Sequence, residues 1–192
     1  MKSKMVWLKL AAAFLLLLIF TAAAYAADTP AKPAYCATPE FHQFDFWIGD
    51  WDAYDMDEPA KVQARAHVDS TLNGCVLFED YQQIDGLHGQ SFNNYDASRK
   101  VWHESWVTNG GSLMLLEGNM RDGAMVLSGT VTKNGHEVLI RDTWKVADGI
   151  VRETAVKSTD GGKTWETLFD MGFRPHKETA SLNDDKAKSS QP

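Results

Sequence analysis

Carboxylates and indoles alternate along one short segment of the chain, VWHESWV. Trp102, Glu104 and Trp106 lie two residues apart, so in a β-strand their side chains point to the same side. A carboxylate between two indoles is costly to bury without a partner, and we therefore expect Glu104 to lie beside a ligand, an arginine or water. Asp142 and Trp144 share one side of a later segment in the same way. The pattern predicts ligand-binding residues Trp102, Glu104, Trp106 and Trp144, with ordinary aromatic core packing as the alternative.

Acid–base chemistry is a second use for such carboxylates. A positioned carboxylate can take a proton from a reacting group, and the candidates for a general base are Glu79, Glu104 and Glu153. Neither a G-x-S-x-G nucleophile motif nor a glycine-rich phosphate loop accompanies them. The sequence therefore leaves the catalytic residues of any enzyme unidentified.

The stretch STDGGKTW (158–165) matches the pattern S-x-D-x-G-x-T-W, the Asp-box of sialidases. In those enzymes the motif recurs and lies on hairpin turns, away from the catalytic centre. Its Asp and Ser side chains cap backbone groups, and Gly162 permits a positive φ. One copy cannot build a propeller of several blades, so the stretch predicts a structural hairpin and not a sialidase.

Metal and cofactor sites have little support in the sequence. The six histidines are scattered, and neither His103-Glu104 nor His136-Glu137 has the second histidine four positions on that zinc helices need. The acidic segment 52–58 lacks the glycine and the glutamate of a calcium loop, which favours a solvated acidic loop. We expect neither a metal nor a cofactor, with a haem held by one axial histidine as the alternative.

Ten strand-like runs separated by turn residues would have to position these side chains. Several breaks are Asn-Gly or Asp-Gly, the strongest short-range hairpin signals, and links this short make neighbouring strands antiparallel. The predicted strands span residues 47–55, 61–71, 75–84, 88–95, 101–108, 112–120, 124–132, 136–146, 150–158 and 164–173.

The predicted fold is an all-β, antiparallel up-and-down meander of about ten strands. Closure into a barrel removes both exposed edges, whereas a sandwich leaves them, and a barrel of this size can hold one small ligand. Thr38-Pro39-Glu40 is typical of a helix N-terminus and predicts a short helical turn through about Phe44. The domain is expected to span residues 39–176.

The two ends of the chain differ from this domain. Residues 1–26 combine three lysines, an apolar run and the Ala24-Tyr25-Ala26 cleavage pattern, which predicts a signal peptide and an exported, periplasmic or secreted protein. An uncleaved membrane anchor is the alternative. Residues 27–38 are expected to form a flexible leader, and residues 177–192 a disordered tail.

Charge and cysteine content narrow the partners and the compartment. The net charge of −7 argues against nucleic acid or an anionic membrane surface as a partner, and a small molecule is the partner that we expect. The two cysteines, Cys36 and Cys75, predict one disulfide in an oxidising compartment. Two separate small apolar side chains are the alternative. The sequence does not indicate an oligomeric state.

A family resemblance is carried by FDFWIGDW (44–51). A short helical turn followed by Gly-x-Trp at the first strand resembles the start of calycin barrels, such as lipocalins and fatty-acid-binding proteins. The resemblance implies that Trp51 plugs the closed end and that a basic residue after the last strand, Arg174, packs over it.

The span 40–175 also resembles an uncharacterised family of exported bacterial proteins. That family has no established activity, so the resemblance implies a fold and a compartment but no catalytic residues. The matching segments, in order, are FDFWIGDW, NGCVLFEDY, SFNNYD, VWHESWV, DGAMVLSG and STDGGKTWETLFD.

These observations favour an exported calycin-like barrel that binds a small, partly apolar molecule. An enzyme with an interior carboxylate as general base is one alternative, and a structural or stress protein with a solid core is the other.

Overall fold

The computed structural model describes residues 35–177, and the chain there forms a closed barrel of ten antiparallel strands. Each strand pairs with the next along the chain, and β1 pairs with β10 to close the sheet. The predicted meander and its closure are both confirmed. The strands are β1 (Gly49–Asp55), β2 (Ala64–Thr71), β3 (Val76–Gln83), β4 (His88–Asp96), β5 (Val101–Thr108), β6 (Leu113–Arg121), β7 (Ala124–Lys133), β8 (His136–Ala147), β9 (Ile150–Ser158) and β10 (Glu166–Pro175).

The hairpin turns follow the chemistry that the sequence predicts. Asn134-Gly135, between β7 and β8, has φ values of 52° and 78°, and Asp148-Gly149, between β8 and β9, has 52° and 79°. Two consecutive positive φ angles are the requirement of a type I′ turn, whose twist matches that of the flanking strands. These dipeptides therefore fix which strand segments face each other.

Two short 3₁₀ turns, Pro39–His42 and Asp45–Trp47, precede β1 and close one end of the barrel. This is the short helical turn predicted from Pro39. Phe44, between the turns, is fully buried and packs against the rings of Trp102 and Trp144 at centroid distances of 5.8 and 5.4 Å. Aromatic side chains from the leader side therefore fill the closed end.

Trp51 packs against Trp47, the last residue of the second 3₁₀ turn. Its indole stacks on that of Trp47 at 5.6 Å and 15°, and its Nε1 donates a hydrogen bond of 3.0 Å to the Trp47 carbonyl. Phe173 packs edge-on against Trp47 at 4.6 Å. The plug is thus made from both ends of the barrel's sequence.

The expected packing of Arg174 over Trp51 is not formed. Arg174 is paired in register with Asp52, one residue beyond Trp51, so strand alternation turns it to the outside of the barrel. There its guanidinium lies 4.7 Å above the ring of Tyr54 and donates a hydrogen bond of 2.7 Å to the Pro59 carbonyl. Arg174 stabilises the outer surface next to the plug instead.

The predicted disulfide between Cys36 and Cys75 is confirmed. It joins the leader to the residue before β3, and the two cysteines are separated by 39 in residue number. The bond holds the first described residues against the barrel. Disulfides persist in oxidising compartments. No helix within residues 35–177 is long and apolar enough to cross a membrane.

The Asp-box forms the turn between β9 and β10, as predicted. The Asp160 carboxylate accepts hydrogen bonds from the backbone N–H groups of Lys163 and Thr164 and from the Thr164 hydroxyl, at 2.6–3.0 Å. These bonds lower the pKa of Asp160 to about 2. Trp165 donates to the Gly162 carbonyl at 3.1 Å, and its ring lies 4.3 Å from the guanidinium of Arg141. These contacts of Asp160, Thr164 and Trp165 stabilise the turn.

The predicted signal peptide, most of the leader and all of the tail beyond Lys177 lie outside the described residues.

Candidate functional site

A cavity of about 370 Å³ lies inside the barrel. Its lining comes from the inward side chains of the strands together with residues at one rim: Asp55, Gln63, Glu79, Tyr81, Gln83, Leu87, Glu104, Trp106, Met114, Asp142, Glu153, Phe169, Met171 and Phe173. The volume is within the range of about 300–1,000 Å³ that is usual for small-molecule sites.

Strand alternation sets which residues face inward, and position along β5 sets their depth. Trp102 lies at the closed end against Phe44, Glu104 lies midway, and Trp106 lies towards the opposite rim. The aromatic and aliphatic lining near that rim includes Trp106, Met114 and Phe169. Glu79, Glu104 and Asp142 lie deeper, below a rim that combines these apolar side chains with Asp55, Gln63 and Gln83.

The mouth is bordered by the turns that follow β3 and β5. Asn109 ties these two turns together, since its Nδ2 donates to the Gly86 carbonyl at 2.9 Å and its Oδ1 accepts from the His88 N–H at 3.2 Å. Gln83 and Leu87 line the cavity beside these contacts. The entrance therefore has hydrogen-bonded edges.

The predicted ligand-binding residues divide into two pairs. Glu104 and Trp106 line the cavity. Trp102 and Trp144 do not, because Phe44 covers both rings at the closed end, where Trp102 Nε1 also donates to Gln43 Oε1 at 3.3 Å. Alternation in the sequence indicates the side of a strand but not its depth, and the insertion of Phe44 decides which indoles a ligand can reach.

Four carboxyl groups meet inside the barrel, and we call them the carboxylate cluster: Glu79 on β3, Glu104 on β5, Asp142 on β8 and Glu153 on β9. The residues Glu79, Glu104 and Asp142 are 7%, 4% and 1% exposed, and Glu153 is half-buried. All three general-base candidates belong to the cluster. The sequence indicates only that Asp142 shares a side with Trp144, because its distance from the other strands is a property of the fold.

A hydrogen-bonded chain supports Glu79. Ser91 Oγ donates to Glu79 Oε2 at 2.8 Å, and Asn93 Nδ2 donates to Ser91 Oγ at 2.8 Å. Burial nevertheless dominates and raises the pKa of Glu79 to about 7, with repulsion from Asp142 adding to it and the Ser91 bond opposing it. Glu79 is therefore partly protonated near neutral pH.

Asp142 and Glu153 share a hydrogen bond between their carboxyl groups. Burial raises the pKa of both, and repulsion from Asp142, Glu79 and Glu104 raises the pKa of Glu153 further. Asp142 Oδ1 also accepts a hydrogen bond of 2.8 Å from the Thr143 N–H, which opposes the rise in the pKa of Asp142. Two carboxyl groups this close retain a proton that isolated ones would release.

Glu104 has no such support. Burial raises its pKa well above the usual value, and repulsion from Asp142 and Glu79 adds to the effect. Its Oε2 atom is buried and has no hydrogen-bond partner among the described residues, and neither does Oδ1 of Asn93, which is paired with Glu104 in register. Two acceptors on neighbouring strands thus lack a donor.

No positively charged group offsets the cluster. Within residues 35–177, no lysine, arginine or histidine lines the cavity, and none is fully buried. Arg152, next to Glu153 in the chain, faces outward and pairs with Asp170. In the same described part of the chain, no three His, Cys, Asp or Glu side chains are arranged to hold a metal ion. The site can accept protons or bind a group that donates hydrogen bonds.

Comparison with known proteins adds no family or function, since the chain matches no protein-family model and no curated protein.

Proposed function

We propose that this protein is an exported barrel that binds a small, partly apolar molecule in its interior. The observation that carries the proposal is the cavity of about 370 Å³, whose lining as a whole is mainly apolar. A barrel that serves only as a solid structural element has no need to leave this volume unfilled, because close packing contributes to stability. The disulfide supports an oxidising compartment such as the periplasm.

The lining fits such a ligand. Trp106, Met114 and Phe169 offer apolar surface near the mouth, and Gln63 and Gln83 add polar groups at the rim. Binding sites for small molecules commonly combine a mostly apolar wall with a few polar groups that fix orientation.

Native mass spectrometry of protein isolated from its own host tests the proposal. We expect an added mass that is lost on denaturation, and a Met114→Trp variant, which fills the mouth, should retain less of it. The proposed function would be refuted if the protein purified from its host had only the mass of the polypeptide and also bound no apolar probe.

A second candidate is an enzyme that uses a carboxyl of the cluster as general acid or base. The place of Glu79, Glu104 and Glu153 in the cavity wall favours it, and burial raises the pKa of Glu79 to about 7, near the operating pH at which an acid–base group works best. The retained molecule, incubated with excess protein, should then be converted, and Glu153→Gln should stop the conversion. Recovery of the unchanged molecule after prolonged incubation would reject catalysis.

A further inference from the structure

The carboxylate cluster has the composition of a cation site without a cation of its own. Four carboxyl groups from four strands share one cavity, and no basic side chain in residues 35–177 enters it. Buried carboxylates normally have a positive partner or a full set of hydrogen bonds. Here the partner must come from solution, either as protons or as a positively charged ligand.

The Oε2 atom of Glu104 is the atom that such a ligand would contact. Its side chain is 4% exposed and lines the cavity, while its Oε2 has no partner among the described residues. A proton on Glu104 satisfies one acceptor. A ligand N–H group aimed at Oε2 does the same and adds a charge-assisted hydrogen bond.

The walls above Glu104 suit the remainder of an organic cation. The rings of Trp106 and Tyr81 lie edge-to-face at 5.9 Å and both line the cavity. Indole and phenol faces attract cations and also pack against apolar groups. Met114 and Met171 add adaptable apolar surface.

An inorganic ion fits these walls less well. Calcium and magnesium take six or more oxygen ligands, whereas the lining of this cavity as a whole is mainly apolar. No group of carboxylates in residues 35–177 has metal-binding geometry. The ligand chemistry that matches both the carboxylate cluster and the apolar wall is a protonated amine on an apolar body.

We propose that the barrel interior binds a small protonated amine, with its ammonium group on Glu104 and the neighbouring carboxylates and its apolar part against Trp106 and Met114. This inference rests on the proposed function and specifies its ligand class. The ammonium takes the place of a proton, so binding releases protons and strengthens as the pH rises. The groups that face Glu104 and determine this dependence are Glu79, Asp142 and Glu153, with Tyr81 above them and Asp55 at the rim.

Three probes of similar shape and different charge test the inference: 2-phenylethylamine, 2-phenylethanol and 3-phenylpropionate. In calorimetric titrations at pH 8 we expect the amine to bind about tenfold more tightly than the alcohol and the anion not to bind. Titrations in buffers of different ionisation enthalpy should show proton release with the amine and none with the alcohol.

Glu104→Gln is the decisive variant, because the amide has the shape of the protonated carboxyl and leaves the fold undisturbed. It should remove the preference for the amine, a loss of about tenfold, while the alcohol binds as before. Glu137→Gln is the matched control, since Glu137 is exposed on β8 and makes the same change in net charge. This control should bind all probes like the original protein.

Each other outcome overturns the inference in a recognisable way. If the alcohol binds as tightly as the amine, the charge preference is wrong and the proposed function stands. If neither binds, the amine site is refuted, and native mass spectrometry then decides the fate of the proposed function separately. Tight calcium binding that excludes the amine would assign the cluster to an inorganic ion.

Discussion

Gly89 on β4 lies directly beneath the indole of Trp106 on β5. A Cβ atom added at Gly89 would lie 2.2 Å from Cη2 and Cζ2 of that ring, far inside any real carbon–carbon contact. The absence of a side chain therefore lets the indole lie flat against the sheet and leaves the cavity open above it. The residue at position 89 therefore affects the size of the cavity, because a side chain there would displace the Trp106 indole.

Gly89→Ala should push the Trp106 indole into the cavity. The conflict is with the far end of a side chain that borders open space, so we expect the low end of the roughly 1–3 kcal/mol that overpacking costs. Ligand affinity should fall and the tryptophan emission should shift. Chemical denaturation and fluorescence titration measure the two effects.

Gly110→Ala is the control for that experiment. Its added Cβ would have ordinary contact only, 3.5 Å from Thr108 Oγ1. Equal behaviour of the two variants in ligand titrations would contradict the role assigned to Gly89.

Trp106→Ala should weaken ligand binding with only a moderate loss of stability. The indole is half-buried and borders the cavity, so we expect about 2 kcal/mol, less than the 3–5 kcal/mol for a fully buried tryptophan. Trp165→Ala, at the Asp-box turn and outside the cavity lining, should lower stability and leave affinity unchanged. Unaltered binding by Trp106→Ala would remove the indole from the site.

The sequence predicts the sheet better than the site because turns and alternation are local. Dipeptides such as Asp148-Gly149 fix a hairpin by their own backbone preferences, and strand alternation places Glu104 and Trp106 on the inner side. The depth of a residue depends on what enters the barrel from elsewhere. Phe44 covers Trp102 and Trp144 through contacts that no local pattern encodes.

The carboxylate cluster also depends on contacts between distant parts of the chain, which no local pattern encodes. Glu79 and Glu153 are far apart in the chain and approach only because β1 pairs with β10. The position of Arg174 shows the limit of an analogy, since a shift of one residue relative to Trp51 moves the side chain to the outside.

Arg174→Ala should lower stability without a direct effect on affinity. It removes the contact with the Tyr54 ring and the bond to the Pro59 carbonyl, together about 1–2 kcal/mol at a half-buried site. Urea denaturation measures the loss, and Arg121→Ala, on the exposed end of β6, should have little effect. A large change in probe affinity for Arg174→Ala would contradict this expectation and would show that contacts on the outer surface affect binding in the cavity.

Protein recovered from the periplasm should have both a processed N-terminus and the disulfide between Cys36 and Cys75. N-terminal sequencing is expected to begin at Ala27, and thiol titration under denaturing conditions to find no free thiol. Replacing Cys36 and Cys75 by serine should cost about 3–4 kcal/mol, because the bond closes a loop of 39 positions. Recovery of the intact precursor in the membrane fraction would contradict export, and two free thiols would contradict the bond.

Acidification should stabilise the protein between pH 8 and pH 5. The pKa of Glu79 is about 7 in the folded protein against an ordinary 4.5, so the folded state holds a proton that the unfolded chain has released. The resulting stability is fully present below about pH 4.5 and is lost as the pH rises to about 7. One unit of pKa difference corresponds to about 1.4 kcal/mol, and the raised pKa values of the rest of the cluster act in the same direction.

Glu79→Gln isolates the contribution of Glu79 to this pH dependence. His67 also contributes to the rise in the free energy of unfolding on acidification, because its hydrogen bonds to Asp50 and Asp69 raise its pKa. Surface carboxylates with lowered pKa values, such as Asp160, stabilise the fold while they are ionised. Their contribution is lost only below pH 5. Denaturation at pH 5, 6, 7 and 8 should therefore give a shallower fall for Glu79→Gln than for the original protein, while Glu137→Gln follows the original curve. A free energy of unfolding that is constant or rises from pH 5 to pH 8 would show that the cluster is ionised and solvated in the folded protein, and the amine proposal would then lose its proton exchange.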